Sequence, residues 1–384
     1  MNCVRQQSLR GPCLTSLISV RSNSESHRTT FSRGFDDADH RVTGRLQRRS
    51  LASGARVNAA LVSIALPVRN GADYLAAALD AVLAQTFSDF ELHVSDNASD
   101  DGTADILSSY AARDRRIIVS RSAEPLSQVA NMNRAVALAQ TPWVRMLCHD
   151  DLLRPDCMAQ TLAAVREVND SRVALIGNDE LHQFANGYLM PTARDESLVI
   201  HSGQAVVAAN LFGRGKSVLM PAVTTATVRR SAFENMGGFD PRFVHFDIFA
   251  WYRMLTTWDY AWLPAQLTIN RIHGRQVAAD ARAALRSVFD YRTFVQEFAD
   301  EFGTVLALGR GERLRGKLVP LGVAAMTMAI EIRAGRTERV RRALLTLPPH
   351  WIPFLLPLIL RALLIEQRRL SSLRAHVPMN LLYP

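Results

Sequence analysis

Asp150 and Asp151 are adjacent carboxylates that directly follow the mostly apolar run Trp143-Val144-Arg145-Met146-Leu147 and the pair Cys148-His149. The run reads as a short buried strand, so both acids fall where that strand should end. A carboxylate buried there without a partner is costly, and a divalent cation or solvent at a cleft mouth relieves that cost. In parallel α/β sheets, ligands bind just beyond the carboxyl ends of the strands. The plainer reading is a solvated Asp-Asp turn leading into the helix expected near Pro155. Three more residues are candidates with equally plain alternatives. Asp96 suits ligand contact or an Asx-turn, Asp247 a catalytic base or a helix cap, and His273 a metal contact or a structural histidine.

The elements that must position these residues alternate regularly. Leu61 to Val68 is a strand-length apolar run closed by Arg69-Asn70-Gly71, and Tyr74, Leu75, Ala78, Leu79, Val82 and Leu83 then recur at helical spacing. Strands follow at 90–94, 116–119, 143–147 and 173–176, with helical segments between them. The β-α alternation predicts a mainly parallel sheet sandwiched by helices, an α/β fold. The stretch 180–236 has little periodicity, with Gly213, Gly215 and Pro221 interrupting it, and it is expected to form one wall of a cleft or a lid. Beyond residue 276 the chain reads as a helical C-terminal extension.

Charge and composition narrow the function. The chain has 384 residues and a formal net charge of +9. Residues 1–60 carry a net +6 and residues 301–384 a net +8, which leaves −5 for the middle. An acidic centre between basic flanks fits a metal-using site near an anionic membrane surface better than a nucleic-acid groove. Four cysteines (Cys3, Cys13, Cys148, Cys157) show no metal-ligand or disulfide spacing, and a reducing, cytoplasmic setting is the default. Residues 1–57, rich in Arg and Ser, read as a disordered basic leader, dispensable for folding. The expected organisation is therefore a leader over 1–57, a catalytic domain over 58–276 and a helical region over 277–384. Within that last region, residues 350–365 contain two prolines and an arginine. They make a poor membrane span but a plausible interfacial helix at an anionic membrane. The first strand-to-helix turn lacks G-x-G-x-x-G, so no dinucleotide cradle is expected there.

Six segments occur together in order: Pro67-Val68-Arg69-Asn70, the Asp96–Thr103 turn, Ala130-Asn131-Met132-Asn133-Arg134, Cys148-His149-Asp150-Asp151, Gly237-Gly238-Phe239-Asp240 with Asp247 to Arg253, and Arg271-Ile272-His273. In this order and spacing the chain resembles family-2 glycosyltransferases with the GT-A fold, over residues 61–275. The resemblance implies a nucleotide-diphosphate-sugar site over the carboxyl edge of the sheet. Pro67, Val68, Asn70 and Asp96 match donor-binding positions, and Cys148 and Asp151 flank Asp150 on the donor side. Asp150 matches the last acid of the D-x-D motif, which holds Mg²⁺ or Mn²⁺. His273 matches a histidine that completes the metal or phosphate site, and Asp247 matches the general base. Two positions depart: Cys148 stands where the first Asp of D-x-D is usual, and Phe246 where Glu is common.

The reading that follows is an inverting glycosyltransferase of the cytoplasm, at the inner face of the membrane. Its donor would be a nucleotide sugar, and its acceptor a glycan or lipid-linked hydroxyl. A sugar nucleotidyltransferase is the first rival, but it calls for a Gly/Arg/Lys-rich triphosphate loop near the first strand, where only Arg69 and Gly71 stand. A non-catalytic module that kept the fold is the second, and Asp150 with Asp247 argues against it.

Overall fold

The computed structural model describes residues 61–168, 171–184, 187, 189–191, 198–273, 281–333, 337, 340, 341, 355 and 357–364. The expected leader over 1–57 lies outside the described residues.

A ten-stranded sheet forms the centre. β1 (Val62–Val68) pairs in parallel with β2 (Leu92–Asp96) and β4 (Trp143–Met146), and β2 pairs in parallel with β3 (Ile117–Arg121). All seven residues of β1 are buried, as a strand covered on both faces requires. The helices between them are α1 (Ala72–Leu83), α2 (Thr103–Arg113) and α3 (Gln128–Leu138). β6 (Val173–Gln183) and β10 (Asp259–Arg271) run parallel to each other; β5 (Leu152–Leu153) and β8 (Val199–His201) lie antiparallel on β10, and β7 (Leu189–Pro191) antiparallel on β6. Side chains alternate across the sheet. Val62, Ile64 and Leu66 pack under α1, α2 and α4 (Cys157–Val168), while Ala65, Val144 and Met146 face the other core. That second core is built from α3, α5 (Gly203–Phe212), α6 (Arg230–Asn235), α7 (Phe246–Met254) and α8 (Ala281–Phe302).

Two regions differ from what periodicity predicts. The stretch 180–236 supplies β9 (Ala226–Arg229), which sits antiparallel between β4 and β6 inside the sheet. Four residues are too few to show alternation. β6 continues past Ile176 through Gly177, Asn178, Asp179 and Glu180. Asn178 is accommodated because Arg145 of β4 is itself buried, at 1% exposure. The Arg145 guanidinium donates to Asn178 Oδ1, to the Thr224 carbonyl (2.9 Å) and to Thr268 Oγ1 (2.6 Å).

The core also runs across residue 276. Tyr291, Phe294, Val295 and Phe298 of α8 belong to the same cluster as α7. α9 (Arg310–Arg333) follows, and Leu321, Ala324, Ala325 and Met328 on it pack with Leu355 and Ile359. Leu360, Arg361 and Leu364 of the helical residues 357–364 face solvent. Among the described residues, no helix is long and apolar enough to cross a membrane.

The Gly237-Gly238 turn ahead of α7 is fixed by α3. Asn133 accepts from the Phe239 N–H (2.8 Å) and donates to the Phe239 carbonyl (2.9 Å), as a backbone strand would. Both glycines have positive φ, at 83° and 75°. A Cβ on Gly238 would lie 2.8 Å from Asn133 Oδ1, whereas one on Gly237 would meet nothing within 4 Å. Gly237→Ala should therefore cost only backbone strain, about 1–2 kcal/mol. Gly238→Ala adds the collision and should cost more, up to about 3 kcal/mol. Chemical denaturation of both variants checks this, and equal costs would mean that Asn133 does not constrain the turn.

Candidate functional site

The expected site residues sit at the carboxyl edge of the sheet, on the loops after β1, β2 and β4 and at the end of β10. Pro67 and Val68 are inside the sheet, and the Val68 carbonyl is taken by the N–H of Asn97 (2.9 Å) and the amide of Asn131 (3.4 Å). Arg69 and Asn70 are the exposed residues of that turn. Asn70 has φ 51°, its N–H donates to Ser99 Oγ (3.0 Å), and its Oδ1 accepts from the Asp100 N–H (3.0 Å). These bonds tie the β1 turn to the β2 turn. Asp96 ends β2 at 1% exposure, with one oxygen on Arg121 (2.5 Å) and the other accepting from the Ser99 N–H (3.1 Å). Its charge is thus compensated by protein groups, and half-exposed Arg121 presents the cation of the pair to solvent.

The second loop carries the acids. Asp151 is 2% exposed and turns towards β10, accepting from the Arg271 N–H (3.1 Å). Its carboxyl ionises well above the usual range. Burial is the largest cause, followed by repulsion from Asp150 and Glu180. Asp150 meets the other end of the R-x-H segment, with His273 Nε2 3.2 Å from its Oδ2. The imidazole of His273 stacks on Tyr74 of α1 with centroids 4.4 Å apart. Arg271 latches the turn from below. Its guanidinium donates to the carbonyls of Asp150 (2.5 Å) and Tyr74 (3.0 Å). The R-x-H segment therefore acts as a unit, Arg271 holding the loop backbone and His273 meeting its carboxylate.

Cys148 adjoins both halves of the site. Its thiol is pushed well above the usual range, first by burial and then by Asp151, Asp150, Asp247 and Glu180. Four carboxylates thus bear on one small side chain. A fifth acid at this position would add like charge to a crowded site, and the neutral thiol avoids that. Asp247 lies in the first turn of α7, where its Oδ1 accepts from the Ile248 N–H (2.8 Å). Burial raises its ionisation above the carboxylate range, and His245 partly offsets this. Phe246 does not shield it, since that ring turns into the core against Phe239 (5.1 Å).

The side chains present suit a hard divalent cation. Ligand atoms of Cys148, Asp150 and Asp151 all lie within 4.8 Å of one another. A protonated thiol is a poor partner for Mg²⁺, and Asp151 is engaged by β10. Asp150 and His273 remain as the fitting pair. One carboxylate with few other protein ligands matches an ion that takes the rest from phosphate and water. Glu180, with Asp179 beside it, is the acid that strand-end reasoning overlooked. The signal was present, because Asn178-Asp179-Glu180 follows an apolar run just as Asp150 does. Trp251 and Trp262 are core residues, 0% and 6% exposed, and offer no platform for a sugar ring.

Residues 63–193 match glycosyl transferase family 2. The putative teichuronic acid biosynthesis glycosyltransferase TuaG of Bacillus subtilis is 34% identical over 107 residues, covering 28% of this chain and 42% of that protein. A PGL/p-HBAD biosynthesis glycosyltransferase of Mycobacterium bovis is 38% identical over 111 residues, covering 28% and 43%. The chain thus spans less than half the length of these curated relatives. A crystal structure of S. aureus TarS 1–349 in complex with UDP-GlcNAc aligns over 73% of this chain and 90% of that one, at 15% identity and a TM-score of 0.48. Residues 63–193, which carry the parallel half of the sheet and its acidic carboxyl edge, are thus the part of this chain that matches the family-2 glycosyltransferases.

Proposed function

We propose that the chain transfers a sugar, with inversion, from a nucleotide-diphosphate-sugar donor to a hydroxyl of a glycan or lipid-linked acceptor. The observation that carries this reading is the clustering of Cys148, Asp150 and Asp151, whose ligand atoms lie within 4.8 Å of one another at the carboxyl edge of the sheet. Adjacent carboxylates, one buried and one partly exposed, are unfavourable alone and suit a site that receives a cation. Asp150 and His273 would hold Mg²⁺ or Mn²⁺, which when bound neutralises charge on the diphosphate leaving group.

The residues of the chain divide the remaining work. Asn70, in the exposed turn after β1, and the Asp96–Arg121 pair frame the donor side, with Pro67 and Val68 as its buried floor. Cys148 and Asp151 flank Asp150 on the same side. Asp247 takes the proton from the acceptor hydroxyl as its oxygen bonds to the anomeric carbon, and the bond from that carbon to the diphosphate oxygen breaks. Attack comes from the face opposite the leaving group, so the anomeric configuration inverts. No covalent enzyme intermediate is formed. A triphosphate-using nucleotidyltransferase is disfavoured because the turn after β1 is short and braced by Ser99 and Asp100 rather than built as a glycine-rich loop.

Peripheral binding to an anionic membrane at the cytoplasmic face is part of the same proposal. Leu355 and Ile359 are used against α9, which leaves Leu360 and Leu364 at 56% and 62% exposure beside Arg361. Apolar side chains next to a cation suit an interfacial helix. Replacing both leucines by Glu should abolish co-sedimentation with vesicles containing phosphatidylserine without altering turnover. Unchanged sedimentation of the double variant would count against the membrane role.

For the chemistry, Asp247→Asn should lower turnover by about 10²–10⁴-fold with donor affinity unchanged. Asp247 ionises above the ordinary carboxylate range, so wild-type activity should rise with pH through that ionisation, and the step should vanish in the Asn variant. Asp150→Ala should abolish turnover and keep the native circular-dichroism spectrum. The assay is release of nucleoside diphosphate from a panel of nucleotide sugars. Wild-type rates in Asp247→Asn would reduce that residue to a helix cap.

A further inference from the structure

Two consecutive residues of α8 reach the segment that carries Asp247. Asp290, 8% exposed, accepts from the backbone N–H of Val244 at 2.7 Å, three residues ahead of Asp247. Tyr291 sets its ring against His245 with centroids 5.6 Å apart, and edge-on against Phe249 at 4.8 Å. His245 and Phe249 stand two residues before and two after Asp247. One turn further along α8, Phe294 stacks flat on Phe249, 4.0 Å away with a 4° interplanar angle.

This hold matters because, within α7, the first-turn N–H groups are served by Asp247 itself, which accepts from Ile248, and not by a capping residue ahead of it. Its N-cap residue is His245, and no side chain caps the helix there. Ser, Thr, Asp or Asn would ordinarily accept from the free N–H groups of the first turn. Here Asp290 of another helix fixes the chain just ahead of the cap, and Tyr291 fixes the two flanking rings. A base must stand within hydrogen-bond reach of the proton that it removes. Displacement of about 1 Å can cost on the order of 10²-fold in rate.

We infer that Asp290 and Tyr291 are positioning residues for the Asp247 carboxylate, so that α8 completes the acceptor side of the site. The inference rests on the role given to Asp247 under the proposed function. It assigns a part in the reaction to a helix that lies outside residues 63–193.

The test uses the full chain and the nucleotide sugar that it turns over. Release of nucleoside diphosphate gives kcat and KM, and calorimetry with that nucleoside diphosphate and Mn²⁺ gives donor-side affinity. Asp290→Ala should lower kcat by about 10- to 100-fold while nucleotide affinity stays within about 2-fold. Asp290→Asn should keep most of the rate, because the amide oxygen still accepts from the Val244 N–H. Asp247→Asn is the reference. If it kept wild-type turnover, or if the wild type turned over no nucleotide sugar, the functional reading would fall and this inference with it. If Asp247→Asn lost turnover while Asp290→Ala kept it, only the positioning role would fall. Equal losses of rate and nucleotide affinity in Asp290→Ala, or an Asn variant as slow as the Ala variant, would also overturn it. Should Asp290→Ala not fold, Tyr291→Leu withdraws the ring between His245 and Phe249 and carries the same expectations.

Discussion

Carboxylate repulsion at one edge of the sheet is the constraint on which the rest of this site depends. Burial first, and then the nearby acids, raise the Cys148 thiol and the Asp151 carboxyl well above their ordinary ranges. Such a cluster persists only where the backbone is held by other means. The Arg271 guanidinium supplies much of that hold by bonding to loop carbonyls, while its backbone N–H bonds to the Asp151 carboxylate. The acids are thereby kept in place without being neutralised one by one. In the proposed reaction that leaves Asp150 available to a cation and Asp247 available to a proton.

Beneath this edge lies a second electrostatic oddity. Arg145 is fully buried on β4, and among the described residues no carboxylate lies within 4.0 Å of it. Neutral oxygens of Asn178, Thr224 and Thr268 take its hydrogen bonds. Burying a charge this way is expensive, the more so because Nε of Arg145 is buried without a hydrogen-bond partner, and burial lowers its ionisation from the usual value. In return, one side chain links β4, β6, β10 and the 3-10 turn Val223–Thr225. Thr224 is the hinge between the two levels. Its carbonyl accepts from Arg145 and its hydroxyl from the Cys148 N–H (3.5 Å), so the floor of the sheet and the acidic loop share a residue.

The parallel half of the sheet could be read from the sequence because both of its faces are covered. β1, β2 and β4 show as apolar runs, and the acids after β4 stand where a strand end should put them. The long β6 could not be read past Ile176, since the residues that satisfy Arg145 are polar and interrupt the run. β9 is too short for a period, and its place between β4 and β6 is set by tertiary pairing. The Asn131-Met132-Asn133-Arg134 segment was recognisable as a motif, but its work was not. Asn131 and Arg134 bond to Ser95, while Asn133 clamps the Gly237-Gly238 turn. Asp290 and Tyr291 left no trace in the sequence at all. Nothing about an Asp-Tyr pair in a long amphipathic helix says that it meets the backbone some 45 residues earlier.

The central claim is that the acidic edge is built to receive a diphosphate together with a divalent cation. Calorimetric titration of the wild-type protein with UDP, GDP, CDP and dTDP, in Mn²⁺ and again in EDTA, tests it most directly. The account predicts that one of these nucleotides binds in Mn²⁺ and loses at least about tenfold in affinity, or roughly 1.4 kcal/mol, when the cation is removed. Binding of equal strength in EDTA, or no binding of any of the four, would contradict it.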